Sequence, residues 1–183
     1  MTRRQELVTF AAELFAARGF ANVTVDDIGQ AAGISGPALY HHFAGKEALL
    51  GEMLVGISQY LLDGGHQVVA ESADPIRDLI AFHAEFAVDD RALITVHFRD
   101  LVHARPGDRS KVRNLQGRYV ALWSDALQQR APHLGKRHAQ AAVHAAFGLI
   151  NSTPFSGRLP RAEMLSLLRT MAAAALEGVS SPA

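Results

Sequence analysis

Thr24, Ser35, Tyr40 and His41 bring hydroxyl and imidazole groups together over a short stretch of chain, interspersed with Gly33, Gly36 and Pro37 and followed by Lys46. Such groups can donate to phosphate oxygens and base edges, and small residues let a backbone come close to a surface. Chemistry that makes or breaks bonds is harder to assemble. Gly33-Ile34-Ser35-Gly36 stops short of a nucleophile elbow, and Gly45-Lys46 is followed by Glu47, with no upstream glycine at phosphate-loop spacing. Of nine histidines, His97 with His103 and His133 with His138 miss the i, i+4 ligand spacing, while the adjacent His41 and His42 point in different directions on a helix. The chain has no cysteine, which excludes disulfides and thiolate metal sites. No catalytic constellation, metal site or cofactor is expected.

Helices must position these groups. Leu7, Phe10, Ala11, Leu14 and Phe15 follow the spacing of one buried helix face that stops near Gly19. Thr24, with Asp27 three residues on, reads as a capping-box start to a second, short helix ending at Ala32-Gly33. Ser35 and Pro37 start a third at once, which is the outline of a helix-turn-helix. A long helix begins at Lys46, with Gly64-Gly65 expected to weaken or bend its far end. Asp74-Pro75 starts the next, and Leu93 to Leu101 gives another. Arg105 to Asp108 reads as a turn before a helix reaching Arg130. Two alanine-rich helices, near residues 136 to 152 and 160 to 177, are split by Pro154, Gly157 and Pro160. The fold class is all-α, with about nine helices: a three-helix head over residues 1–45 and a helical body over 46–183.

The segment from Thr24 to Leu49, TVDDIGQAAGISGPALYHHFAGKEAL, resembles the DNA-binding signature of the TetR family of bacterial transcriptional regulators. A helix-turn-helix lays its second helix in the major groove while the first spans the phosphate backbone. The resemblance implies that Thr24, Tyr40, His41 and Lys46 hold the backbone, with Ser35, Gly36 and Pro37 near base edges. It also implies a dimer, through a four-helix interface of the last two helices, on a palindromic double-stranded operator. Ala139, Val143, Ala146, Phe147, Ile150, Leu168, Met171 and Ala175 are the candidate dimer residues.

A ligand-sensing body follows from the same resemblance. Phe82, Phe86, His97, Phe98, Leu101, Tyr119 and Trp123, on successive helices, could line an apolar cavity with a few polar handles. Residues 99 to 118 carry six basic and two acidic side chains, a net of +4 that reads first as a solvated loop and otherwise as a place for an anionic head group such as the phosphates of an acyl or steroid thioester of coenzyme A. The expected function is a ligand-responsive regulator, most simply a repressor released by a small apolar effector.

With 183 residues, 49% hydrophobic and 20% charged, the chain is long and apolar enough for a folded core. Arg3 and Arg4 precede an apolar stretch, but Glu13 and Arg18 interrupt it, and no continuous apolar run reaches the ~20 residues needed to span a bilayer. A cytoplasmic protein with no membrane partner is expected. Net charge is zero overall, and residues 1–50 hold four basic against five acidic side chains. Asp26, Asp27 and Glu13 are therefore expected to face away from phosphate. The acidic balance also keeps open a helical ligand-binding protein without DNA function.

Overall fold

The computed structural model describes residues 2–156 and 159–180, and Gly157 lies outside them. Nine α-helices, with two short 3₁₀ turns, make up the secondary structure of the described residues. They are α1 (Arg3–Arg18), α2 (Val25–Ala31), α3 (Gly36–Leu39), α4 (Lys46–Glu71), α5 (Pro75–Asp89), α6 (Arg91–Asp100), α7 (Pro106–Arg130), α8 (Lys136–Ile150) and α9 (Arg161–Ser180). The fold is all-α, with helix-turn-helix elements first and a helical body after them. No helix among the described residues is long and apolar enough to cross a membrane.

The chain divides into two compact units. One comprises residues 1–58 with 92–114, the other 59–91 with 115–183. In the first, Leu7, Ala11 and Phe15 of α1, Ile28 of α2, Leu39 and Phe43 around α3, and Leu49, Leu50 and Leu54 of α4 share one apolar core with Val96, Ala104 and Val112. Each fully buried aliphatic or aromatic side chain contributes about 1.5–3 kcal/mol, so the three short helices lean on this shared core for most of their stability.

Local signals explain the helix boundaries. Thr24 caps α2 reciprocally: its hydroxyl accepts from the Asp27 amide while the Asp27 carboxylate accepts from the Thr24 amide. Gly33, at φ +68°, closes α2 with Ile34 N–H donating to Gly29 O and Gly33 N–H to Gln30 O. Ser35 then caps α3, which has only four residues. A Cβ at Gly29 would sit 2.9 Å from Ile34 O and 3.0 Å from Gly36 N, so glycine there is what lets α3 turn tightly against α2.

Two boundaries differ from the sequence expectation. Pro106 is the first residue of α7, so Pro106 to Asp108 is helix rather than turn; proline is well placed where an amide would lack a partner anyway. α4 also runs unbroken through Gly64-Gly65 to Glu71. Those glycines serve packing. A Cβ on Gly64 would meet Phe82 Cζ at 2.3 Å, and one on Gly65 would meet Tyr119 Cε2 at 2.6 Å and Leu122 Cδ2 at 2.9 Å.

In the second unit α8 and α9 pack on one another and on α5. Asp74 caps α5 by accepting from Arg77 N–H, with Pro75 as the first helical residue.

Candidate nucleic-acid interface and aromatic core

Thr24, Ser35, Pro37, Tyr40 and His41 are exposed, Tyr40 at 60%. Gly36 is buried beneath the Asp26 carboxylate, whose Oδ1 would lie 1.8 Å from an added Cβ. Asp26 therefore lies against the start of α3. Asp27 is turned into the Thr24 cap and pairs with Arg18 at 3.3 Å. Those hydrogen bonds, the one from Thr24 first, hold its carboxyl below the usual carboxylate range.

Lys46 is spent inside the head. Its Nζ donates to Phe20 O at 3.0 Å and Val23 O at 2.9 Å and lies 4.4 Å from the Phe20 ring centroid. This ammonium clamps the segment between α1 and α2 to the start of α4. Arg3 likewise donates to Ala32 O at the end of α2, and Arg4 to His42 O and Glu52.

Segment 92–114 is tied to the same unit through arginines. Arg99 donates to Phe15 O and Ala16 O, satisfying carbonyls at the end of α1, and pairs with the buried Asp100 at 3.0 Å. Arg105 donates to Ala44 O at 3.1 Å and Arg109 to Val102 O at 2.7 Å. Three members of the basic cluster of residues 99 to 118 thus hold backbone carbonyls.

An aromatic cluster fills part of the second unit. His83 stacks on Phe147 at 4.7 Å with ring planes 3° apart and on Tyr119 at 5.7 Å, while Trp123 meets Phe147 edge-on at 5.0 Å. Tyr60, 56% exposed, reaches Phe82 at 5.6 Å and Phe86 at 6.3 Å, bringing the cluster to the surface. His83 Nε2 lies 3.1 Å from Asn151 Oδ1 and Nδ1 lies 3.3 Å from the Tyr119 hydroxyl. Burial pushes His83 down to about 4, against a smaller upward pull from Asn151, and pushes the Tyr119 phenol well above its ordinary value. The buried Trp123 Nε1 has no hydrogen-bond partner among the described residues.

Of the seven expected ligand residues, Phe82, Phe86, Tyr119 and Trp123 meet in this unit. His97, Phe98 and Leu101 belong to the other, where Leu101 packs on the head core and Phe98 is 58% exposed. A cleft of about 520 Å³ opens elsewhere, between α5, α7 and α9, and none of the seven lines it. Among the described residues no group of three or more histidines and carboxylates could hold a metal ion.

The profile described as "Bacterial regulatory proteins, tetR family" matches residues 7–53, and "Tetracyclin repressor-like, C-terminal domain" matches residues 70–174. The chain belongs to the TetR family of transcriptional regulators. It is 36% identical over 132 residues to the HTH-type transcriptional repressor KstR2 of Mycobacterium tuberculosis, a match spanning 70% of this regulator and 66% of that protein. KstR2 of Rhodococcus jostii is 30% identical over 155 residues, covering 82% and 76% of the two chains. Among solved structures, a TetR-family regulator from Bordetella parapertussis superposes with a TM-score of 0.85 at 25% identity, covering 98% of this chain and 97% of that one.

The TetR-family chain places its candidate dimer residues on two kinds of surface. Ala139, Val143, Ala146, Ile150 and Leu168 are at most 3% exposed within a single chain, because the faces carrying them pack among α5, α8 and α9. Phe147 is half-buried in the aromatic cluster. Met171, 47% exposed, and Ala175 remain at the surface. With them lie Leu167, Ala174 and Gly178 of α9 and Ala141, Ala145 and Gly148 of α8, all exposed. Sequence reasoning missed this outer stripe because small residues were spread over both faces of each helix. It also missed Gly29 and Asn151, which only the three-dimensional neighbours reveal.

Proposed function

We propose that this TetR-family regulator binds a palindromic operator as a homodimer, acts as a repressor in the cytoplasm, and is released by a small, mostly apolar effector. The observation that carries the reading is the exposure of Thr24, Ser35, Pro37, Tyr40 and His41 on a three-helix head matched by the family profile. Ser35 and Pro37 stand where base edges would lie, with buried Gly36 letting the backbone approach; Thr24, Tyr40 and His41 face phosphates. Lys46 acts by holding the head together. Residues 1–45 then form the reading module and residues 46–183 the sensing and dimerising body.

The outer stripe of α8 and α9, small residues plus Leu167 and Met171, suits a second copy, because small side chains let helices pack closely. Two-fold symmetry would set the two heads about one DNA turn apart, ~34–36 Å. Effector recognition is assigned to the aromatic cluster, where His83, Tyr119 and the unpartnered Trp123 N–H offer polar handles in apolar walls. A steroid-type or acyl thioester is the proposed class; the relative KstR2 of Mycobacterium tuberculosis is a ketosteroid transcriptional regulator. The thioester's anionic end would meet Arg118, exposed on α7.

The test is fluorescence anisotropy on a labelled duplex from the region upstream of the protein's own gene, with steroid and fatty-acyl coenzyme A thioesters added in turn. Nanomolar binding that a thioester reverses supports the proposal. The four basic side chains of residues 1–50, all engaged internally, favour one rival, a helical ligand-binding protein without DNA function. Thioester binding with no binding to that duplex would select it.

A further inference from the structure

The second unit holds a cleft that the aromatic cluster does not account for. At about 520 Å³ between α5, α7 and α9, it falls within the ~300–1,000 Å³ of small-molecule sites. Its apolar lining comprises Ile76, Ile80, Leu127 and Leu176, each at most 3% exposed, together with the small Ala81 and Ala173. Three acidic and three basic side chains also line it, and they differ in what they have left to offer. Asp74 caps α5 and pairs with Arg130 at 3.3 Å, Asp78 accepts from the Ser72 hydroxyl at 2.5 Å, and Glu177 lies 3.6 Å from Arg130. Each carboxylate is thus engaged. Arg169 gives one nitrogen to Glu85, yet its buried Nε has no hydrogen-bond partner among the described residues. A donor left in that state costs about 1–3 kcal/mol.

A spare guanidinium donor beside apolar walls is the recognition chemistry of a carboxylate with an apolar body. We propose that this cleft is a second small-molecule site, separate from the aromatic cluster, that takes a monocarboxylic acid: the carboxylate on Arg169 and the exposed Thr170 hydroxyl, the apolar body along Ile80, Leu127 and Leu176. The site stands whether or not the head binds DNA.

The arrangement of charge fixes the polarity of the ligand. The pairs Arg169–Glu85 and Arg161–Asp89 show α5 and α9 running antiparallel, so Arg169 marks one end of the cleft and Ser180 the other, about 16 Å along α9. Towards the Ser180 end Asp74, Asp78 and Glu177 outnumber Arg77 and Arg130, which turns away a further anionic group. That balance disfavours a coenzyme A thioester with its phosphates and admits a free acid. At the Arg169 end the exposed pair with Glu85 contributes at most about 1 kcal/mol, so a ligand carboxylate competes for the guanidinium. Ile80 lies one turn before His83 on α5 and Leu127 one turn after Trp123 on α7, so filling the cleft bears on the helices that carry those rings.

Trp123, the single tryptophan and fully buried, serves as the reporter. The full-length protein is titrated with decanoate, decan-1-ol and decylamine below their micelle concentrations, followed by Trp123 emission and isothermal titration calorimetry, with circular dichroism on every variant. Decanoate should bind saturably at one site per chain, about tenfold or more tighter than the alcohol or the amine. Arg169→Gln should weaken it about tenfold, Ala173→Leu, which fills the cleft, by at least as much, and Glu85→Gln, which removes the competing carboxylate, should tighten it about threefold. Absence of saturable decanoate binding, equal binding of the alcohol or the amine, or full affinity in folded Arg169→Gln or Ala173→Leu overturns the proposal. Loss of decanoate binding in Tyr119→Phe with Ala173→Leu unaffected moves the acid to the aromatic cluster and overturns it as well.

Discussion

Acid should loosen this protein through His83. The folded chain holds that imidazole neutral, with burial lowering it from an ordinary value near 6.5 to about 4. Between those two points the unfolded chain binds more protons than the folded one, so stability is complete above about pH 6.5 and falls as pH drops towards about 4. Taking those two titration points, the loss is about 2 kcal/mol at pH 5 and about 3 kcal/mol at pH 4. That is a large share of the ~5–15 kcal/mol typical of a folded domain. Asp89, lowered chiefly by its hydrogen bond from Arg161, loses its contribution only below the ordinary carboxylate range, outside the pH 5 to 6.5 window. The assay is urea unfolding followed by circular dichroism from pH 5 to 7.5, on wild type and His83→Phe. The variant keeps a ring against Phe147 but strands the Tyr119 hydroxyl and Asn151, so it should start about 1–3 kcal/mol weaker. It should then show little further loss to pH 5. An equal acid loss in both proteins, or none in wild type, would refute the reasoning.

Gly64→Ala and Gly65→Ala invert the usual propensity rule. Alanine in an isolated helix gains about 1 kcal/mol over glycine, yet here the new methyl would press on Phe82 or Tyr119, so each variant should lose about 1–3 kcal/mol in thermal unfolding. Lys46→Ala should lower the stability of the head by about 1–3 kcal/mol, measured by proteolysis of the N-terminal segment, and leave the salt slope of operator binding unchanged. A phosphate-contacting Lys46 would show the reverse pattern.

The head was legible because its signals are local. The Thr24–Asp27 cap, Gly33 and the Ser35-Pro37 start each act within three or four residues, and the structure has all of them. The limits of that reading came from distance along the chain. Nothing near Lys46 announces that its ammonium turns to Phe20 and Val23, and nothing near Arg99 or Arg105 points to carbonyls more than sixty residues earlier. Clustered arginines were open to a solvated or an anion-binding reading because sequence displays charge but not the backbone oxygens that occupy it. The aromatic stripe was read as one cavity because helical spacing says which residues share a face, not which compact unit that face joins. Small residues posed the same difficulty in α8 and α9, where alanines line both the inner and the outer faces.

The carbonyl contacts made by Arg99 and Arg105 bear on how such regulators can be recombined. An exchange of reading modules between two family members, cut at the start of α4, would carry across the acceptors at Phe15, Ala16 and Ala44 while leaving their donors behind in the recipient. Val96, Ala104 and Val112 would also face a foreign core. A functional hybrid therefore needs residues 92–114 to travel with the N-terminal segment, as a transplant in two pieces.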